Sequence, residues 1–456
     1  MEYKRLFGTN GIRGIVNKDL TPEFCFRLGL AVGEYFGENA LLLIGYDGRY
    51  GSSMIFHSLC AGIISTGCEV HVGGYTTTPM LQYSIKSLGY DGGVMITASH
   101  NPPEFNGIKV MASDGIELDR ESEIKIEKLF HELNIDSPKH KLLHAKVSQE
   151  KRMLPNYISA IEQALWAGEL IKSKSPRVVV DPGNGVSVLT TPQALIKIGC
   201  KVTTVNSVID PSFPGRLPEP VPENLTAMRT LLETGKFDIG VAHDGDGDRC
   251  IAGDERDIYW GDVTLILLAT YILEQRGGGK IVTPISTPFF IEEAISNFNG
   301  KVVWTRVGSI TVSRTLVAEK AVCGGEENGG FMYPDLHPVR DGTMTSALLL
   351  QMISEYEKSL SDLIEERVPK YVVYKTKFKC PNEKKDTVME RIMKLTEGEN
   401  RITIDGVKVF GNNWAFLIRP SGTEPIIRCF IEAKDDAILE KALEKAKGII
   451  EKALAS

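Results

Sequence analysis

The chain has 456 residues, of which 42% are hydrophobic and 24% charged, long enough for three or four domains and apolar enough to fold, so a disordered protein is excluded. Its formal charge of −7 argues against a nucleic-acid-coating protein, because phosphate-backbone binding needs a basic footprint. The eight cysteines show no C-x-x-C spacing, the first residues carry no apolar targeting core, and the longest apolar run, 263–273, is too short to span a bilayer, so a cytoplasmic enzyme without membrane or nucleic-acid partners is expected.

Residues 1–150 read as an α/β segment. Strands are expected at 41–46, 69–72 and 93–97, with helical stretches between them, and the last strand runs into Ser99. Residues 151–255 repeat the plan, with strands at 177–180, 201–205 and 238–242 leading to Asp244. Residues 256–369 repeat it again, with strands at 280–284, 301–304 and 321–323 leading to Glu326. Loops at the carboxyl ends of strands are where an α/β sheet carries its functional groups. The three segments share a supersecondary plan and little identity.

Over 370–456 the pattern changes to a small α+β domain. A strand at 372–378 and a helix at 384–395 precede strands at 401–404, 407–410, 414–418 and 426–432. In the closing helix Ile438, Leu439, Ala442, Leu443, Ala446, Ile449, Ile450 and Ala453 recur at helical spacing. Asp405-Gly406 marks a hairpin turn.

Four motifs carry chemistry. In TASHNPPEFNGIKV, Thr97 to Val110, prolines behind Ser99 and His100 hold a loop open so that a serine oxygen can be presented, and Lys109 follows ten residues on. For an isolated serine, a turn or cap role outweighs a nucleophilic one. In HDGDGDRC, glycines alternate with Asp244, Asp246 and Asp248, so three carboxylates converge on one hard cation, Mg²⁺ or Ca²⁺ rather than zinc. An EF-hand is disfavoured because its sixth position, here Arg249, requires glycine.

In GGEENGG, Glu326, Glu327 and Asn328 stand between glycines that allow close approach of a polyhydroxyl ligand, although a plain glycine turn explains this stretch equally well. In RPSGTEP, Arg419, Ser421, Gly422 and Thr423, with Arg428 on the next strand, form equipment for a phosphate. A tight hairpin with a surface arginine is the competing reading. The glycine-lysine-threonine ending of a nucleotide-binding loop is missing.

With these motifs in this order, the chain resembles the α-D-phosphohexomutases: the phosphoglucosamine mutases, phosphomannomutases and phosphoglucomutases. The resemblance covers essentially the whole length, and FGTNGIRG and RPSGTEP look closest to phosphoglucosamine mutases. It implies four domains around a central cleft, three related α/β domains and a C-terminal domain of the TATA-binding-protein-like type. It implies a phosphoserine at Ser99, Mg²⁺ on Asp244, Asp246, Asp248 and the Ser99 phosphate, Lys109 as general acid/base, and Arg13, His100 and Arg249 beside the reacting group. Glu326 and Asn328 would hold the sugar, and Arg419, Ser421, Gly422, Thr423 and Arg428 the phosphate that is not transferred.

The implied reaction interconverts hexose 1- and 6-phosphates through a bound hexose 1,6-bisphosphate, glucosamine phosphate being the first candidate and glucose or mannose phosphates the alternative; a homodimer is compatible with the family. Lys109 would need a lowered pKa, which burial and the proximity of Arg13 would supply. Asn328 and Gly330 occupy places where many relatives carry serine and histidine, and Ser309 a place where relatives often carry aspartate or histidine, so sugar choice departs from the pattern. A serine phosphatase and a non-catalytic sugar-phosphate binder are the rival classes.

Overall fold

The computed structural model describes residues 5–8, 10–133, 145–422 and 424–455. The chain divides into two compact units, Met1–Thr264 with Asn328–Leu363, and Leu265–Glu327 with Ile364–Ser456.

The first unit holds two mixed sheets. In one, the strand order is Ile12–Ile15, Phe105–Ala112, Gly92–Ile96, Leu41–Tyr46, Glu69–Tyr75 and Val147–Gln149. The last four are parallel, while Phe105–Ala112 runs antiparallel to both of its neighbours. Central strands such as Leu41–Tyr46 are apolar throughout because helices cover both faces, which is the habit of parallel sheets. The helix Pro22–Phe36 starts where the Thr21 hydroxyl caps Phe24 N–H and proline fills the first turn, and it packs on Ser52–Ile64 through Gly29 and Gly62.

The second sheet has the order Ile258–Tyr259, Ile251–Gly253, Ile239–Ala242, Arg177–Asp181 and Lys201–Thr204, the last three parallel and the first two antiparallel additions. The same unit carries the antiparallel pair Gly330–Tyr333 and His337–Arg340, followed by the buried helix Gly342–Tyr356. Asp341 caps that helix at Met344 N–H and accepts the Tyr157 hydroxyl on both oxygens, at 2.7 and 2.8 Å.

In the second unit the strands Gly300–Thr305, Gly279–Pro284 and Cys323–Glu326 are parallel. A fully antiparallel sheet follows, ordered Val372–Lys379, Ile426–Ala433, Trp414–Pro420, Val407–Gly411 and Arg401–Ile402. The helices Lys385–Leu395 and Asp436–Ala455 cover one face of it, where Ala442, Ala446, Ile450 and Ala453 pack on Val407, Phe416, Cys429 and Ile431. The apolar run 263–273 lies within the helix Gly261–Arg276. Among the described residues no helix is long and apolar enough to cross a membrane.

Three differences from the sequence reading appear in the fold. Each of the first two sheets continues past its glycine loop with an antiparallel strand. Phe105–Ala112 is almost wholly buried, so its two faces do not alternate in polarity and the period-two signal is lost. The strand expected at 401–404 ends at Ile402, because the Asp405 carboxylate turns to Arg419 at 3.0 Å and to Val307 N–H at 3.1 Å, which draws residues 403–406 out of the ladder. Similarly, the strand expected at 321–323 is Cys323–Glu326, so Glu326 ends a strand and is not free in a loop.

Candidate active site

Ser99 lies just past the strand Gly92–Ile96, with its backbone in the left-handed region at φ 52°. A non-glycine residue there is strained by about 1–3 kcal/mol and needs its surroundings to hold it. Those surroundings come from the loop after Leu41–Tyr46. The buried Arg49 guanidinium donates to the Ser99 carbonyl, to Pro102 O at 2.9 Å and to Phe105 O at 3.2 Å. It ion-pairs with Asp47 at 3.1 Å and lies over the Phe213 ring at 5.0 Å. Asp47 accepts the Thr97 hydroxyl at 2.6 Å, and Thr97 Oγ1 in turn accepts Ser99 N–H at 2.8 Å. Burial pushes the Asp47 carboxyl up to about 6 against the pull of Arg49.

The Ser99 hydroxyl donates to Asp244 Oδ2 at 2.6 Å. Asp244, Asp246 and Asp248 each bring a carboxylate oxygen to within 4.8 Å of the others, and all three are buried. The glycines between them permit this. A Cβ on Gly245 would stand 2.6 Å from the Ser99 carbonyl, and Gly247 has φ +75° with Thr77 against it.

Asp246 Oδ2 accepts Thr78 Oγ1 at 2.6 Å and Lys109 Nζ at 3.2 Å. Asp248 Oδ2 accepts Arg340 Nη2 at 2.6 Å. That leaves Asp246 Oδ1 and Asp248 Oδ1 buried without a hydrogen-bond partner. Buried carboxylate oxygens are rarely left so, and two of them beside Asp244 form a hard, all-oxygen set that fits a divalent cation. Burial, then the neighbouring Asp248 and Asp246, raises the Asp244 carboxyl well above its ordinary range.

Lys109 is buried on Phe105–Ala112, 3.2 Å from Asp246, 3.6 Å from Asp248 and 3.6 Å from Glu117. Burial works to lower its pKa, but Asp246, Glu117 and Asp248 outweigh it and hold the ammonium above its ordinary value. The expected lowering is therefore reversed here, since the three carboxylates together outweigh burial and the charge of Arg340.

Arg13, on Ile12–Ile15, donates to the Asn101 side chain. Arg249 reaches Glu219 at 3.0 Å, His100 Nδ1 at 2.9 Å, and Asp244 and Asp248 at 3.8 and 4.0 Å. His100 Nδ1 also lies 3.4 Å from Ser99 Oγ, and burial, then Arg249, Arg13 and Arg340, pushes the imidazole down to about 2, so it is neutral. Asn328 belongs to the same unit, in a turn fixed by Cys250 N–H donating to Gly329 O at 2.9 Å, and its Oδ1 accepts Gly330 N–H at 3.2 Å.

In the second unit Glu326 is buried at the end of its strand. Arg419 pairs with Asp405 at 3.0 Å, and its Nε is buried with no hydrogen-bond partner. Ser421 N–H donates to Ile426 O, and its hydroxyl accepts Glu424 N–H at 3.2 Å, which closes the turn. Lys385 Nζ holds the carbonyls of Ser421 and Glu424 at 2.5 Å each. Arg428 pairs with Glu424 at 2.7 Å, and a Cβ on Gly422 would meet open space. Thr423 lies outside the described residues.

Sequence reasoning passed over Asp47, Arg49, Thr78, Glu117, Glu219 and Arg340. A usable signal existed for the first two, since YDGRYG at 46–51 puts an Asp and an Arg among glycines at a strand end. Arg340 stands 92 positions from Asp248, and only the fold brings the two together.

A buried serine on three converging carboxylates, carried by α/β sheets and accompanied by an antiparallel C-terminal domain, fits the class of enzymes that move a phosphoryl group. Family models agree over most of the chain, matching residues 4–135, 155–258 and 260–371 to α/β/α domains I, II and III of phosphoglucomutase/phosphomannomutase and residues 376–447 to its C-terminal domain. The phosphoglucosamine/phosphogalactosamine mutase of Sulfurisphaera tokodaii is 43% identical over 98% of this chain and 99% of its own. The phosphoglucomutase/phosphomannomutase of Thermococcus kodakarensis is 39% identical over 99% of both. A phosphoglucomutase/phosphomannomutase family protein from Burkholderia thailandensis shares the fold at a TM-score of 0.87 and 24% identity, over 99% of this chain and 98% of that one. The chain belongs to the phosphoglucomutase/phosphomannomutase family, the α-D-phosphohexomutases, and is an intramolecular phosphotransferase of the isomerase class.

Proposed function

We propose that this phosphohexomutase interconverts the 1- and 6-phosphates of glucosamine through a phosphoserine at Ser99 and a bound hexose 1,6-bisphosphate. The observation that carries the reading is the buried Ser99 hydroxyl, held at φ 52° and 2.6 Å from Asp244 within three converging carboxylates. Phosphate-monoester chemistry is among the slowest without help, so a site must neutralise phosphoryl charge and keep water out, and burial of these groups supports both.

Asp244, Asp246 and Asp248 would hold Mg²⁺, which supplies charge neutralisation at the phosphoryl oxygens when bound. In each half-reaction one P–O bond breaks as another forms. Phospho-Ser99 passes its phosphoryl group to a sugar hydroxyl: the Ser99 Oγ–P bond breaks as the sugar O–P bond forms, and Lys109 relays the hydroxyl proton to the freed Ser99 Oγ. In the return step the phosphoryl group at the other end moves to Ser99 Oγ, whose proton Lys109 relays to the departing sugar oxygen. The carboxylates around Lys109 favour its acid form, which suits the second step. Arg13 and Arg249 orient the transferring group, and neutral His100 accepts from Arg249 and so fixes its direction.

Glu326 and Asn328 would hold sugar hydroxyls, while Arg419, Ser421, Gly422, Thr423 and Arg428 grip the phosphate that is not reacting. We assign these roles to domains bounded at 1–150, 151–255, 256–369 and 370–456. A reducing, cytoplasmic setting fits eight free, buried cysteines.

The sugar is proposed from the name of the S. tokodaii relative, which covers glucosamine and galactosamine phosphates. Broader action on glucose and mannose phosphates is the second reading, favoured by the name of the T. kodakarensis relative. Turnover on the 1-phosphates of glucosamine, galactosamine, glucose and mannose, with free phosphate measured alongside, tests both. Preference for a hexosamine with little phosphate release is expected; a preference for glucose or mannose overturns the sugar, and stoichiometric phosphate release overturns the mutase mechanism.

A further inference from the structure

The face of the C-terminal sheet turned away from its two helices is closed on one side and open on the other. Toward Val407–Gly411 it is covered: the buried Lys408 ammonium donates to Ile285 O at 3.1 Å and Thr287 O at 2.7 Å, and pairs with Glu432 at 2.7 Å. Toward the edge strand Val372–Lys379 it opens into a shallow cavity of about 270 Å³ lined by Lys375, Lys377, Glu424, Ile426, Arg428 and Phe430.

The strand register sets a row of three cations on this face. Lys377 is directly opposite Arg428, and Arg428 is directly opposite Arg419. Residues directly opposite one another share a face, and neighbouring strands lie about 4.8 Å apart, so the row spans roughly 10 Å, within reach of one phosphate through these long side chains. Arg419 is answered by Asp405 and Arg428 by Glu424. Lys377 has no ion-pair partner among the described residues. Like charges opposite each other cost stability, so an unanswered lysine beside two arginines is an arrangement that an incoming anion would relieve.

We infer that Lys377 is a third cation for the phosphate gripped by Arg419, Ser421 and Arg428, and thereby strengthens recognition of the dianionic end of the sugar that is not reacting. The inference rests on the role proposed above for the 419–428 loop. Lys377 would touch only that phosphate, so its effect belongs in KM and not in the chemical step.

Steady-state kinetics on a hexose 1-phosphate, at low and high salt, test this with K377A, K377R, K375A and R419A. Lys375 is the control, because it shares the face but faces Phe430, with its ammonium 5.4 Å from that ring. For K377A we expect KM to rise about fivefold at low salt, with kcat nearly unchanged and the effect shrinking at high salt. K377R should restore KM, and K375A should leave it alone. A wild-type KM in K377A beside a raised KM in R419A overturns the inference and spares the phosphate loop. Equal effects of K377A and K375A overturn it as a general charge effect. An unchanged KM in R419A overturns the loop reading itself, and the inference with it.

Discussion

Replacing Arg49 with alanine should separate the positioning of Ser99 from substrate binding. The guanidinium holds three carbonyls of the serine loop, at Ser99, Pro102 and Phe105, and it is the ion-pair partner of Asp47, with both side chains shut off from solvent. Removing one partner of such a pair costs about 3–5 kcal/mol of stability. The lower end applies here, because the Asp47 carboxyl, already pushed up to about 6 by burial, escapes part of that cost by taking a proton.

With the clamp gone, the strained φ of 52° at Ser99 has little to hold it, and relaxation displaces Oγ from Asp244. A nucleophile misplaced by about 1 Å loses roughly 100-fold in rate. We therefore expect kcat of R49A to fall about 100-fold with KM within about twofold, because Arg49 is tied to protein groups. R49K keeps the charge but loses the planar fork, and should fall between the two. Steady-state kinetics, read together with thermal unfolding and mass spectrometry of the Ser99 peptide, provide the assay. A folded R49A with wild-type kcat, or a loss confined to KM, refutes the reasoning.

Two further outcomes are expected. Burial lowers the His337 pKa from 6.5 to about 4, so as pH falls below about 6.5 the unfolded chain takes up a proton that the folded one refuses, and about 2 kcal/mol is lost by pH 5; H337Q should remove this share of the acid sensitivity, and an identical pH dependence of unfolding in both proteins counts against it. Mg²⁺ at about 100 times its Kd should add about 2.7 kcal/mol of stability, seen as a higher melting temperature; D246N should abolish the shift, and an equal shift in that variant contradicts the assigned ligands.

Much of the architecture was legible because apolar strands and glycine loops leave local signals. The Asp244–Asp248 cluster is such a signal, since alternate glycines let neighbouring carboxylates converge. What escaped notice depends on topology. Phe105–Ala112 hides its strand character because it is almost wholly buried, and Arg49 and Arg340 reach Ser99 and Asp248 from other strand ends. The sign of the Lys109 environment is not legible in the sequence, because Asp246, Asp248 and Glu117, which outweigh burial and the neighbouring cation Arg340, come within 3.6 Å of it only through the fold.

Phosphate transfer at Ser99 is the claim on which the mechanism rests. The direct measurement is peptide mass spectrometry of the enzyme after exposure to hexose 1,6-bisphosphate and again after a chase with hexose monophosphate, beside the activity of S99A. The account predicts phosphate on the Ser99 peptide, its loss in the chase as bisphosphate forms, and an inactive S99A. An unmodified Ser99 in an active enzyme, or an S99A variant that turns over normally, contradicts it.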